Sequence, residues 1–135
     1  MSEDIRKRSR GREFDELSRR IIGCAIEVHR SLGPGFEERF YQRALAMELQ
    51  AARIEFCREE PVDILYKGEK LGSKRMDFLV EGIIVEMKAK AALEPVDHVQ
   101  TLSYLKASGM QLGLLINFGG SKVEVERLVN HWQGG

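Results

Sequence analysis

From Phe14 the apolar residues recur as Phe14, Leu17, Ile21, Ala25, Val28 and Leu32, the three-and-four spacing that lays one stripe along a helix. Gly33-Pro34-Gly35 closes that helix, because glycine accepts a positive φ and proline cannot continue the ladder. The pattern predicts a second helix from Phe36 or Glu37 to about Ala52, with a stripe of Phe40, Tyr41, Ala44, Leu45 and Leu49. Glu37 and Glu38 fall in its first turn, where the helix dipole favours negative charge.

The period then changes. Val62, Ile64 and Tyr66 alternate ahead of Lys67-Gly68, a turn pair, and the chain returns through Leu71. Arg75 to Val80 and Ile83 to Met87 form the strongest strand pair. A helix is expected from about Val96 to Ser108, with Pro95 suited to its start and Gly109 to its end. Leu112 to Phe118, an apolar run bounded by glycines, predicts a buried strand, and Val123 to Val129 predicts a last one. No repeat, low-complexity segment or linker interrupts this order. The expectation is one α/β domain over residues 14–132, preceded by a flexible basic tail over residues 1–13. Arg6, Lys7, Arg8, Arg10 and Arg12 of that tail read either as a solvated charge run or as an arm touching phosphates.

Composition agrees with a globular protein. The 135 residues, 15.4 kDa, give about 7,000 Å² of folded surface against roughly 22,000 Å² unfolded, enough burial for one core. Apolar residues make up 43% and charged residues 31%, which excludes wholesale disorder. No apolar run approaches the ~20 residues of a membrane span, and the first ten residues carry no signal-peptide core. Lys+Arg and Asp+Glu both total 21, which argues against coating nucleic acid through bulk charge but leaves local patches open. Cys24 and Cys57 lack metal-ligand spacing and read as core fillers in a reducing cytoplasm.

Only Glu81-Gly82 separates the strong strand pair. A two-residue turn fixes the register, with Val80 facing Ile83, Leu79 facing Ile84, Phe78 facing Val85 and Asp77 facing Glu86. Alternation then puts Met76, Phe78, Val80, Ile83, Val85 and Met87 on a core face, and Arg75, Asp77, Leu79, Ile84, Glu86 and Lys88 on the other. Opposed carboxylates destabilise a sheet, so a positive partner is expected at Asp77 and Glu86. Lys88 is one candidate, in a plain ion network. A hard divalent cation that prefers oxygen ligands is the other.

Gly35-Phe36-Glu37-Glu38-Arg39-Phe40-Tyr41 resembles the GxxExxY motif of a small family within the PD-(D/E)XK nuclease superfamily. The likeness continues through Tyr66-Lys67-Gly68, Asp77-Phe78-Leu79-Val80, Glu86-Met87-Lys88-Ala89, Gln100-x-x-x-Tyr104-Leu105 and Leu114-Leu115-Ile116-Asn117-Phe118. The resemblance implies a restriction-endonuclease-like αβββαβ core, a mixed sheet flanked by helices. It implies that Asp77 and Glu86 are the two acids of the motif and Lys88 its lysine. By the same likeness Glu38 is an additional acid from the preceding helix and Gln100 a polar residue reaching toward the lysine. Met76 stands where the literal motif has proline.

The expected function is therefore metal-dependent hydrolysis of a phosphodiester bond in DNA or RNA. Glu38, Asp77 and Glu86 would hold Mg²⁺ or Mn²⁺, and Lys88 would orient or activate a water. The competing reading is an inactive nucleic-acid-binding or adaptor module on the same fold. A chain this small and neutral leaves room for a homodimer or a protein partner. Tyr104 reads as a residue half-buried against the core, His29 as a structural helix-end histidine, and His98 as offset from Gln100 around the helix. Lys67, Lys70, Lys74 and Arg75 read as a solvated turn or a phosphate-contacting rim.

Overall fold

A computed structural model describes residues 3–131, with side chains from residue 14 onward. The elements are α1 (Glu3–Leu32), α2 (Glu38–Ala51), β1 (Cys57–Tyr66), β2 (Glu69–Val80), β3 (Ile83–Lys88), α3 (Pro95–Ser108), β4 (Leu112–Asn117) and β5 (Glu124–Val129). α1 begins at Glu3, ahead of the start at Phe14 that the apolar pattern predicts, and the side chains of residues 1–13, on which a reading of the basic tail as a phosphate-contacting arm would rest, lie outside the described residues.

The five strands form one mixed sheet in the order β1-β2-β3-β4-β5. Neighbours are antiparallel except β3 and β4, which run parallel. A parallel pair needs a crossover, and α3 supplies it. The turns are those the sequence predicts. Glu81 and Gly82 have φ of 47° and 92°, and Lys67 and Gly68 of 48° and 83°, the left-handed pairs that match strand twist in a two-residue hairpin. Pro95 sits in the first turn of α3, and Gly109, with φ 74°, caps its end.

Two apolar layers enclose the sheet. On one face, Ile21, Ala25 and Val28 of α1 and Tyr41, Leu45 and Leu49 of α2 pack over Phe78, Val80, Ile83, Val85, Leu114 and Ile116. On the other, Tyr104 and Leu105 of α3 meet Val62, Met76, Ile84, Leu115 and Leu128.

Four expectations need correction. Met76 does not share the core face of Phe78 and Val80; it is buried in the α3 layer. The β1–β2 ladder skips the Glu59/Asp77 step, Glu59 has φ 54°, and strict alternation fails there. Phe40 is 45% exposed, because α2 turns its neighbour Tyr41 inward instead. Cys57 is exposed, and only Cys24 is a core filler. The first hairpin is also longer than its apolar pattern: β1 starts at Cys57, and β2 is one continuous strand of 12 residues. Pro61 is tolerated because β1 is an edge strand.

Candidate active site

The β2–β3 ladder pairs Phe78 with Val85, Leu79 with Ile84 and Val80 with Ile83, and then stops. Beyond it β2 stays with β1, whereas β3 continues beside β4 through Glu86, Met87 and Lys88. The strands fork, and Asp77 and Glu86 fill the fork. Glu86 Oε1 accepts the Asp77 backbone N–H at 3.0 Å, and Asp77 Oδ2 accepts the Met87 N–H at 2.8 Å. In a continued ladder the Met87 N–H would point at the Met76 carbonyl. Here side-chain oxygen takes the place of backbone oxygen, so no buried donor is orphaned where the strands part.

Other elements bring charge to this fork. Glu38 opens α2, and the Gln42 amide, one turn on, donates to Glu38 Oε1 and to Asp77 Oδ1, each at 3.2 Å. Lys88 ends β3, and its ammonium donates to Gln100 Oε1 on α3 at 3.0 Å. All five residues singled out from the sequence thus belong to one connected neighbourhood, with Gln100 reached through Lys88.

The electrostatics are those of an acid-rich site. Burial raises the pKa of Glu38, and the Asp77 charge raises it further. Burial likewise raises Asp77, against the Met87 N–H and Lys88, which lower it. Glu86 is only 5% exposed; burial first, and Asp77 second, push it up to about 8. Lys88 lowers all three acids without cancelling their shifts. An excess of buried carboxylate over cationic charge suits a hard divalent ion, whose preferred donors are carboxylate oxygens. As the side chains stand, no group of three or more His, Cys, Asp or Glu among the described residues encloses an ion. Asp77 and Glu86 each commit an oxygen to a backbone N–H instead.

Two contributors were not assigned to the site from the sequence. Gln42 carries no charge and no motif marks it. Tyr104, read as packing alone, is buried, and its pKa is raised by that burial and then by Glu86 and Asp77. The i, i+4 spacing of Gln100 and Tyr104 was the available signal. His98 bonds Glu126 on β5, at 2.9 Å, and His29 bonds the Gly120 carbonyl, also at 2.9 Å, a structural tie. Lys70 pairs with Asp63 and Arg75 with Glu59, so the hairpin's own acids answer half of the basic rim. An open concavity of about 670 Å³ lies by the Glu81–Gly82 turn, at the other end of the hairpin, and none of the five residues lines it.

A sequence model of the PD-(D/E)XK nuclease superfamily matches residues 15–128. The chain belongs to that superfamily. The match spans every strand but the last residue of β5, and the α/β architecture with a five-stranded mixed sheet flanked by helices is consistent with a restriction-endonuclease-like fold. No curated protein and no solved structure matches the chain. Among the described residues no helix is long and apolar enough to cross a membrane.

Proposed function

We propose that the chain is a divalent-metal-dependent nuclease of the GxxExxY group, hydrolysing phosphodiester bonds in DNA or RNA. The observation that carries this reading is the interlock of Asp77 and Glu86 across the strand fork, with the Lys88 ammonium acting on both. Asp77 and Glu86, with Glu38, would hold Mg²⁺ or Mn²⁺, which when bound neutralises charge that develops on a phosphate.

The protein's own groups do the rest. Lys88 presents a cation beside the acids, suited to a phosphate oxygen or to orienting a water. Gln100 accepts a hydrogen bond from that ammonium and limits its rotamers. Glu38, at the half-buried rim, completes the acid set from the helix side. A small, neutral chain offers little surface for a polymer, and a homodimer or protein partner is part of the proposal.

The test is incubation with single- and double-stranded DNA and RNA, in Mn²⁺ and in EDTA. Cleavage is expected in Mn²⁺ only, and Asp77→Ala and Lys88→Ala abolish it. Binding without cleavage across the panel would instead support an adaptor that keeps the acidic fork.

A further inference from the structure

The Gln42 amide is the one direct bridge, among the described residues, between the helix acid and the sheet acid. Its single Nε2 spends both hydrogens on carboxylates, one on α2 and one on β2. The other Asp77 oxygen is held by the Met87 N–H, so each oxygen of that carboxylate has its own donor and the group cannot rotate freely. A lysine at position 42 would hold the same acids but neutralise them. A glutamate would add a further negative charge. A glutamine orders two acids and leaves their charge intact.

We propose that Gln42 is a positioning residue that, by bonding Glu38 and Asp77 together, orients the two carboxylates for a divalent cation. This deepens the reading of the fork as a metal site and rests on it. Gln42 has no negative oxygen to offer the ion and acts through the two carboxylates, as groups one shell out from a metal orient its ligands.

The experiment is calorimetric titration of the full chain with Mn²⁺, comparing wild type, Gln42→Met, Asp77→Ala, Glu38→Ala and the Glu38→Ala/Gln42→Met double variant. Gln42→Met is expected to weaken Mn²⁺ binding about 10- to 100-fold, the range for such outer groups. Its thermal midpoint in EDTA should stay close to wild type. In the Glu38→Ala background the same change should cost less than it does alone, because one of the two acids it joins is gone. Gln42→Asn, one methylene too short to span both acids, should behave like Gln42→Met and replaces it if the latter does not fold.

Wild-type Mn²⁺ affinity in Gln42→Met, or a lowered midpoint with affinity intact, would overturn the proposal. If Asp77→Ala binds Mn²⁺ like wild type, the metal-site reading itself fails. Loss of binding in Asp77→Ala with none in Gln42→Met removes only the role of Gln42.

Discussion

The Asp77 carboxylate accepts the backbone N–H of Met87 at 2.8 Å, standing in for a backbone carbonyl where β2 leaves β3. The pair explains how a sheet tolerates a fork in its interior. It also gives replacement of Asp77 a structural cost: a side chain without an acceptor leaves a buried donor unpaired, apart from any chemistry the acid performs.

The first prediction concerns pH. Glu86 is raised from 4.5 to about 8, so between those values the folded protein keeps a proton that the unfolded chain releases. Stability without divalent ions therefore falls as pH rises through this window, and the upward shift of Asp77 adds in the same sense. Glu86 alone accounts for roughly 5 kcal/mol of this, at ~1.4 kcal/mol per pKa unit. Glu86→Gln keeps an acceptor for the Asp77 N–H and carries no charge. Melting curves in EDTA from pH 5 to 9 should slope downward more steeply for wild type than for Glu86→Gln, in which the raised Asp77 and Glu38 remain. Parallel curves would refute the buried-acid account.

Much of this site was legible in the sequence because hairpins with two-residue loops fix their register. Glu81-Gly82 alone sets the pairing from Val80 back to Phe78. What could not be read is where that pairing ends. Period-two reasoning assumes a continued ladder, and it assigned Met76 to the wrong layer where Asp77 interrupts one. Phe40 failed for another reason: two adjacent apolar residues fit one helical stripe equally well until packing selects Tyr41. Gln42 was invisible because its role depends on a partner 35 positions away, and a neutral amide on a helix leaves no pattern.

Tyr41 fixes the entry to α2. Its hydroxyl donates to the Gly33 carbonyl at 2.6 Å and accepts the Phe36 N–H at 3.2 Å, while its ring stacks on Phe118 at 5.0 Å. Tyr41→Phe keeps the stack and strands both backbone groups of the loop that leads to Glu38. We expect a loss of about 1–3 kcal/mol, read by urea unfolding. A loss below about 0.5 kcal/mol would show that water replaces the hydroxyl without cost.

Gly119 and Gly23 form a contrasting pair. A Cβ on Gly119 would fall 2.2 Å from the Lys90 carbonyl oxygen, within the connection that leads from β3 to α3. Gly119→Ala must displace that connection and should cost about 1–3 kcal/mol or more. Gly23 lies inside α1 with nothing among the described residues within 4 Å of the added methyl, so Gly23→Ala should stabilise by about 0.5–1 kcal/mol. Thermal melts of the two variants check the signs. A neutral Gly119→Ala would mean that the Lys90 segment yields freely.

The central claim is that the Asp77–Glu86 fork takes up a divalent cation in exchange for the proton on Glu86. Mn²⁺ titration by calorimetry at pH 6, 7 and 8.5 measures this directly. The account predicts binding that tightens as pH rises, since ligands must lose their protons to bind, and that disappears in Asp77→Ala and in Glu86→Ala. Binding that ignores pH, or that survives in either variant, would contradict it.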